Sequence, residues 1–172
     1  VVTRDVEVGD VLLDVPLTAT LLDCSEQGSS LPGAAPAWSA GLPSKVQLAL
    51  LVLHERNRGG PWAAFLESWP SQAPAGPESL DDVTLAREAQ DPAVVAGAQA
   101  RRQWLAEQYA ASRLAGAAAA VQAEDFSYED FCWAVRLVGS RCLCLSMGWD
   151  HGVRRLLVPV LDLANHDGQA PS

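Results

Sequence analysis

Leu156-Leu157-Val158-Pro159-Val160-Leu161-Asp162-Leu163-Ala164-Asn165-His166 is where apolar sequence gives way to a run carrying Asp, Asn and His. The apolar part, Leu156 to Val160, has the length and composition of a strand. Pro159 cannot donate to a sheet ladder, so the strand is expected to follow an edge or leave the sheet there. Polar groups next to buried chain must find hydrogen bonds. Taken alone, the segment reads as a strand ending in a capped turn, with Asp162 and Asn165 bonding backbone.

Working outward, Cys142 to Met147 is also strand-like, parted from Leu156 by a stretch that contains Gly148-Trp149-Asp150-His151-Gly152. Before it, Ser127-Tyr128-Glu129-Asp130 makes a helix start with acids in the first turn. Phe131, Ala134, Val135 and Val138 then recur at helical spacing and carry the helix into Ser140-Arg141. From Pro92 to about Ala120 the chain is Ala-rich, with Val94, Ala98, Leu105 and Tyr109 on one helical face. Ser44 can cap a largely apolar helix through Val46 to Leu53, ended by Arg58-Gly59-Gly60. Pro61-Trp62-Ala63-Ala64-Phe65-Leu66 begins a short helix stopped by Pro70, and a Pro-rich loop with Pro74, Gly76 and Pro77 follows.

Residues 1 to 22 are strand-like, with Gly9-Asp10 as a turn between Val6 and Val8 on one side and Val11-Leu12-Leu13 on the other. Thr18 to Leu22 is a further extended piece, and residues 23 to 43 form a Gly/Pro-rich loop. Strands at both ends of a helical middle indicate an α+β fold. The divisions are 1–43 (strands and loop), 44–139 (helical region) and 140–172 (closing strands and polar segment). Val1-Val2-Thr3-Arg4 reads as mid-strand sequence and Asp167 to Ser172 as a polar stretch with no terminal element. The 172 residues are therefore expected to be part of a longer protein.

Charge narrows the partners. With 12 Lys+Arg against 21 Asp+Glu the formal net charge is −9, and Arg101-Arg102 and Arg154-Arg155 are isolated pairs. Nucleic-acid binding needs cations to displace phosphate counterions, so no nucleic-acid partner is expected. An acidic surface suits a basic peptide, and equally serves plain solubility. No stretch of 18 apolar residues exists, so no membrane span is expected.

Few residues carry an enzyme signature by type alone. The four cysteines, Cys24, Cys132, Cys142 and Cys144, lack the two paired ligand sets of a structural zinc site and read as small thiols. His54-Glu55 opens like a zinc-protease helix, but Arg58 stands where the second histidine belongs. Asp162 and His166 are four apart, compatible with an acid-orienter pair or two metal ligands, yet no nucleophile is marked beside them. No metal is expected.

The segment Pro159 to His166 resembles the P-x-x-D-x-x-N-H signature of SET-domain methyltransferases of the Rubisco large-subunit lysine methyltransferase type. Three other stretches agree in the same order. Val2 to Val6 through Gly9 to Pro16 resembles the family's N-terminal strands. Trp62-Ala63-Ala64-Phe65-Leu66-Glu67-Ser68-Trp69-Pro70 is similar to its W-x-x-Y/F-L-x-x-L-P element. Phe131-Cys132-Trp133-Ala134 through Ser140-Arg141 is similar to its F-x-W-A helix ending in a Ser-Arg pair.

The resemblance implies SET-domain β-sheets with a large helical insert, S-adenosyl-L-methionine as cofactor, and a protein or peptide substrate. The methyl acceptor would be a side-chain nitrogen, lysine by frequency within the group, with histidine left open. Carried over by position, Asn165 and His166 would hold the cofactor and Asp162 would support them. Ser140 and Arg141 would lie at the cofactor, and Arg141 and Leu143 at the substrate channel. Leu143 departs from an aromatic in the pattern, and Asp167 stands where Ser or Thr is common. The family's active-site tyrosine follows the Asn-His pair, whereas Tyr109 and Tyr128 precede it, so no catalytic residue is assigned. The glycine-rich turn and the C-terminal substrate-binding domain have no counterpart here either, and the chain is expected to be inactive alone. Such relatives work inside cells, in chloroplast or in cytoplasm and nucleus. The competing readings are a non-catalytic SET-like interaction module and a metal-dependent hydrolase.

Overall fold

A computed structural model describes residues 5, 7, 9–23, 34–35, 37–73, 75–118, 126–146 and 152–163. Asn165, His166 and Cys24 lie outside the described residues.

The helix that begins at Ser127 forms as its sequence directs. Helix α5 (Tyr128–Arg141) opens on a capping box: Ser127 Oγ accepts from Asp130 N at 3.1 Å, and Ser127 N donates back to the Asp130 carboxylate at 3.0 Å. Two orphan donors of the first turn are thereby satisfied. Phe131, Ala134, Val135 and Val138 are fully buried, and Cys132, Trp133 and Leu137 join them. The helix is therefore buried over more than one stripe.

Helix α1 (Ser44–Arg58) is its main neighbour and is apolar almost all round, with every residue from Val46 to Leu53 buried. A helix of this kind belongs in the middle of a core. Gln47 within it donates from Nε2 to the carbonyls of Ala40 and Leu42 at 3.3 and 2.8 Å, which meets the need of a buried amide. Ser44 begins the helix, but Pro43 holds the capping position. The Ser44 hydroxyl accepts instead from Arg155 Nε at 2.8 Å. Gly59 ends α1 in the left-handed conformation (φ 62°), where its lack of a Cβ avoids strain.

Helix α2 (Ala63–Glu67) starts two residues after Pro61. After it, a 3-10 turn at Pro77–Ser79 leads into α3 (Asp82–Glu88), which the sequence reading leaves within a Pro-rich loop and unassigned helical region. Asp81 caps α3 by accepting from Val83 N and Thr84 N, as its short carboxylate side chain suits it to do. The long α4 (Pro92–Ala118) buries Ala98 and Leu105 as expected, but Val94, in its first turn, is exposed. Arg102 ties α4 to the preceding turn, donating to the carbonyls of Glu78 and Leu80 and pairing with Asp82.

The sheet is small and antiparallel: β1 (Leu21–Leu22), β2 (Leu143–Ser146) and β3 (Val153–Leu157), in the order β1-β3-β2. Leu21 pairs with Leu157, and Leu143 with Leu156. Strand alternation sorts β3 into two faces. Arg155 and Leu157 turn toward the helices, while Leu156 joins Leu22 and Val158 in a second apolar cluster, with Leu143 packed against it. The strand starts earlier than the sequence suggests and stops at Leu157, so Pro159 marks its exit. Directly after it, Val160 adopts φ 72°, and a 3-10 turn at Leu161–Leu163 closes the described chain.

The N-terminal region departs most from expectation. Gly9 forms the expected turn, closed by Asp10 N to Glu7 O at 3.1 Å. Val11, Leu12 and Leu13 nevertheless form no strand and are exposed. A two-stranded hairpin has little stability without a third strand or a helix beneath it, and the described residues offer neither. Leu17–Ala19, read as extended, is a 3-10 turn bonded from Thr20 back to Leu17. The architecture is mixed α and β, a helical body on one face of a three-stranded sheet.

Candidate functional site

Helix α5 delivers Ser140 and Arg141 to its C-terminal end, where two distant segments meet them. Arg141 Nη1 donates to Asp162 Oδ2 at 2.8 Å. The Asp162 side chain is fully buried, whereas about a fifth of the Arg141 side chain reaches solvent. The guanidinium carbon lies 5.5 Å from the centre of the Trp69 ring, within cation–π range. Trp69 in turn packs edge-on to Phe65 at 5.6 Å and against Trp133 at 6.1 Å. Trp133 Nε1 donates to Pro70 O at 3.0 Å, which fixes the end of the α2 segment to α5. Residues from 65–70, 133–141 and 162 thus form one aromatic-walled ion pair.

Two atoms of this cluster are buried without a hydrogen-bond partner among the described residues: Asp162 Oδ1, an acceptor, and Trp69 Nε1, a donor. Among the described residues, only Nη1 of the Arg141 guanidinium makes a hydrogen bond. A buried carboxylate oxygen without a donor is costly, and such exceptions concentrate at binding sites. The pattern suits a ligand that carries both N–H or O–H donors and a carboxylate. S-adenosylmethionine carries both kinds of group, and Arg141, about a fifth exposed, is the member of the cluster open to its carboxylate.

Ser140 turns elsewhere. Its hydroxyl donates to Leu137 O at 3.0 Å, and it lines a cavity of about 300 Å³ together with Lys45, Glu78, Arg101, Arg136 and Gly139. Leu143 opens β2 and packs against Leu22, Leu156 and Val158. Asp162 bonds a side chain, not the backbone expected from a plain capped turn.

The tyrosines sit at the far end of α5. Tyr109 and Tyr128 pack on each other at 5.4 Å, with Phe126 and Phe131 beside Tyr109. At the helical rise of about 1.5 Å per residue, Tyr128 is roughly 20 Å from Arg141. Burial pushes the Tyr128 phenol up, with the Cys132 thiol as its hydrogen-bond partner, and burial also raises that thiol. His54 Nε2 meets Arg58 Nη1 at 3.0 Å on α1, and among the described residues no group of His, Cys, Asp and Glu has the grouping of a metal site. No helix of the described residues is long and apolar enough to cross a membrane.

Two features escaped the sequence. Arg154 looked like half of an isolated basic pair, yet it is buried on β3 and pairs with Asp23 at 2.8 Å. Lys45, in the first turn of α1, faces the positive end of its own helix dipole, an unfavourable placement that itself was a legible signal. Neither a family profile nor a curated protein matches the chain.

Proposed function

We propose that the chain is the cofactor-holding part of an S-adenosylmethionine-dependent protein N-methyltransferase of the SET type, acting on a lysine. One observation carries this reading. Three stretches that resemble the family's motifs, far apart in sequence, meet through Trp69, Arg141 and Asp162. A capped strand end has no need of that convergence.

S-adenosylmethionine supplies an electrophilic methyl group on sulfur. The chain's own residues have the tasks of binding and orientation. Arg141 holds a carboxylate through its remaining N–H groups, and Asp162 keeps Arg141 in place while its free oxygen takes a donor. The Trp69, Phe65 and Trp133 rings keep water from one side of this ion pair. By the resemblance, Asn165 and His166 would add side-chain and backbone bonds to the cofactor, Ser140 would lie near it, and Leu143 would adjoin the substrate channel. Methyl transfer is an in-line displacement, so orientation carries much of the rate. An acceptor lysine entering an apolar channel loses its proton more easily, because burial disfavours the ammonium.

Tyr109 and Tyr128 lie a helix length from Arg141, which favours a second reading, a non-catalytic interaction module built on the same fold. Calorimetry with S-adenosylmethionine and a labelled-methyl transfer assay separate the two. Asp162→Asn and Asn165→Ala are each expected to weaken cofactor binding at least tenfold, with thermal unfolding confirming that the variants fold. Unchanged affinity in both would remove the methyltransferase reading. The 172-residue chain is expected to bind the cofactor without transferring methyl groups, and transfer by this chain would overturn that expectation.

A further inference from the structure

The cavity beside Ser140 has a charge pattern that the methyl-transfer reading does not use. Lys45 from α1, Arg101 from α4 and Arg136 from α5 line it, with Glu78 as the one carboxylate. Glu78 is already engaged, accepting from Arg136 Nε at 2.9 Å. Among the described lining residues two positive charges are left uncompensated in a concave surface, on a chain whose formal net charge is −9. A cleft lined by one sign of charge concentrates counter-ions of the other.

Two of the cations are held in position. The Arg101 guanidinium lies 4.3 Å from the centre of the Trp104 ring, and Glu78 anchors Arg136. The Lys45 ammonium lies against Gly139, where any Cβ would collide with it. Among the described residues Lys45 makes no ion pair within 4 Å. Burial, then the nearby Arg101 charge, lower its pKa, so this placement disfavours the ammonium. A free lysine would extend its charged end into water. The negative end of α5 accounts for one nearby cation. It does not account for three, and the positive end of α1 acts against Lys45.

We propose that this cavity binds a phosphate-type oxyanion, as free phosphate or as the phosphate of a small monoester. Two guanidinium groups and an ammonium converging from three helices suit the several acceptor oxygens of such a group. The volume, about 300 Å³, is at the small end of small-molecule sites. The proposal does not depend on the methyl-transfer reading.

Titration calorimetry at low ionic strength tests it, with inorganic phosphate and glycerol 3-phosphate as the two probes and glycerol as the uncharged control. Saturable binding of a charged probe is expected, weakened at least tenfold by Lys45→Gln. Gly139→Ala retains every charge but displaces the ammonium, and is expected to weaken binding at least fivefold while favouring the helix. Tighter binding of the ester by tenfold or more identifies an esterified ligand; equal affinities identify free phosphate. Amide shifts on the parent protein should centre on Gly76 and Gly139, a readout independent of any variant. Absence of saturable binding by both charged probes, or unchanged affinity in both variants with parental melting temperatures, would overturn the proposal.

Discussion

Val160 is a β-branched residue at φ 72°, a conformation that crowds its Cβ against the backbone and costs about 1–3 kcal/mol. Two residues later Asp162 is gripped by Arg141. The turn is closed across Val160 by Asp162 N to Val158 O at 3.1 Å, and the ion pair fixes the Asp162 end of it. Val160→Gly is therefore expected to stabilise the protein by about 1 kcal/mol, net of the greater unfolded freedom of glycine. In an Asp162→Asn background only the main-chain bond to Val158 still holds the turn, and the same substitution should gain less than about 0.5 kcal/mol. Urea unfolding of the four proteins gives the coupling, and equal gains in both backgrounds would show the turn and the ion pair to be independent. Nothing in Val158-Pro159-Val160 announces the left-handed residue, because composition and period carry no information about one strained dihedral.

At the scale of elements, α5 shows what local sequence can specify. Its cap, its apolar period and its Ser-Arg end all stand in the residues themselves, and all appear in the fold. Ser127→Ala is expected to cost about 0.5–1 kcal/mol near neutral pH, the lower part of the range for caps because the site is largely solvated. Hydrogen bonds from the Ser127 backbone and side chain hold the Asp130 carboxyl below its ordinary pKa. A depressed folded-state value means that its contribution is present above the unfolded value of about 4 and fades as pH falls through the folded one. The difference between parent and Ser127→Ala should shrink accordingly in chemical denaturation run from pH 7 down to pH 2. A constant difference would place the effect elsewhere. The strand expected over Val11 to Leu13 failed for the opposite reason: its β-prone residues have no pairing neighbour among the described residues, and pairing is not a local property. Of the site, Arg141 and Asp162 were marked by motif, while the contact between them, and the place of Trp69, required the fold.

Across the whole molecule, the buried pair of Arg154 and Asp23 fastens β1 to the central strand, reinforced by a second bond from the guanidinium to the Asp23 carbonyl and by Asp23 N to Arg155 O at 3.1 Å. Removing one partner strands a buried charge, so Asp23→Ala is expected to destabilise by about 3–5 kcal/mol. Thermal melts would register this as a large fall in midpoint, whereas a change near zero would mean that Arg154 finds water or another acceptor. The pair could not be read from sequence, because its two members belong to opposite ends of the chain.

The same pairing of Leu21 with Leu157 has a consequence for how the protein is made. At about 5–20 residues per second, β1 leaves the ribosome on the order of ten seconds before its partner strand exists. During that interval Leu21 and Leu22, which end fully buried, have no sheet to enter. Helices such as α1 need only near neighbours and form first, whereas the sheet must await the distant β3. Synthesis itself thus leaves an adhesive segment uncovered, and a chaperone that shields this early leucine pair would matter more to yield than the final stability does.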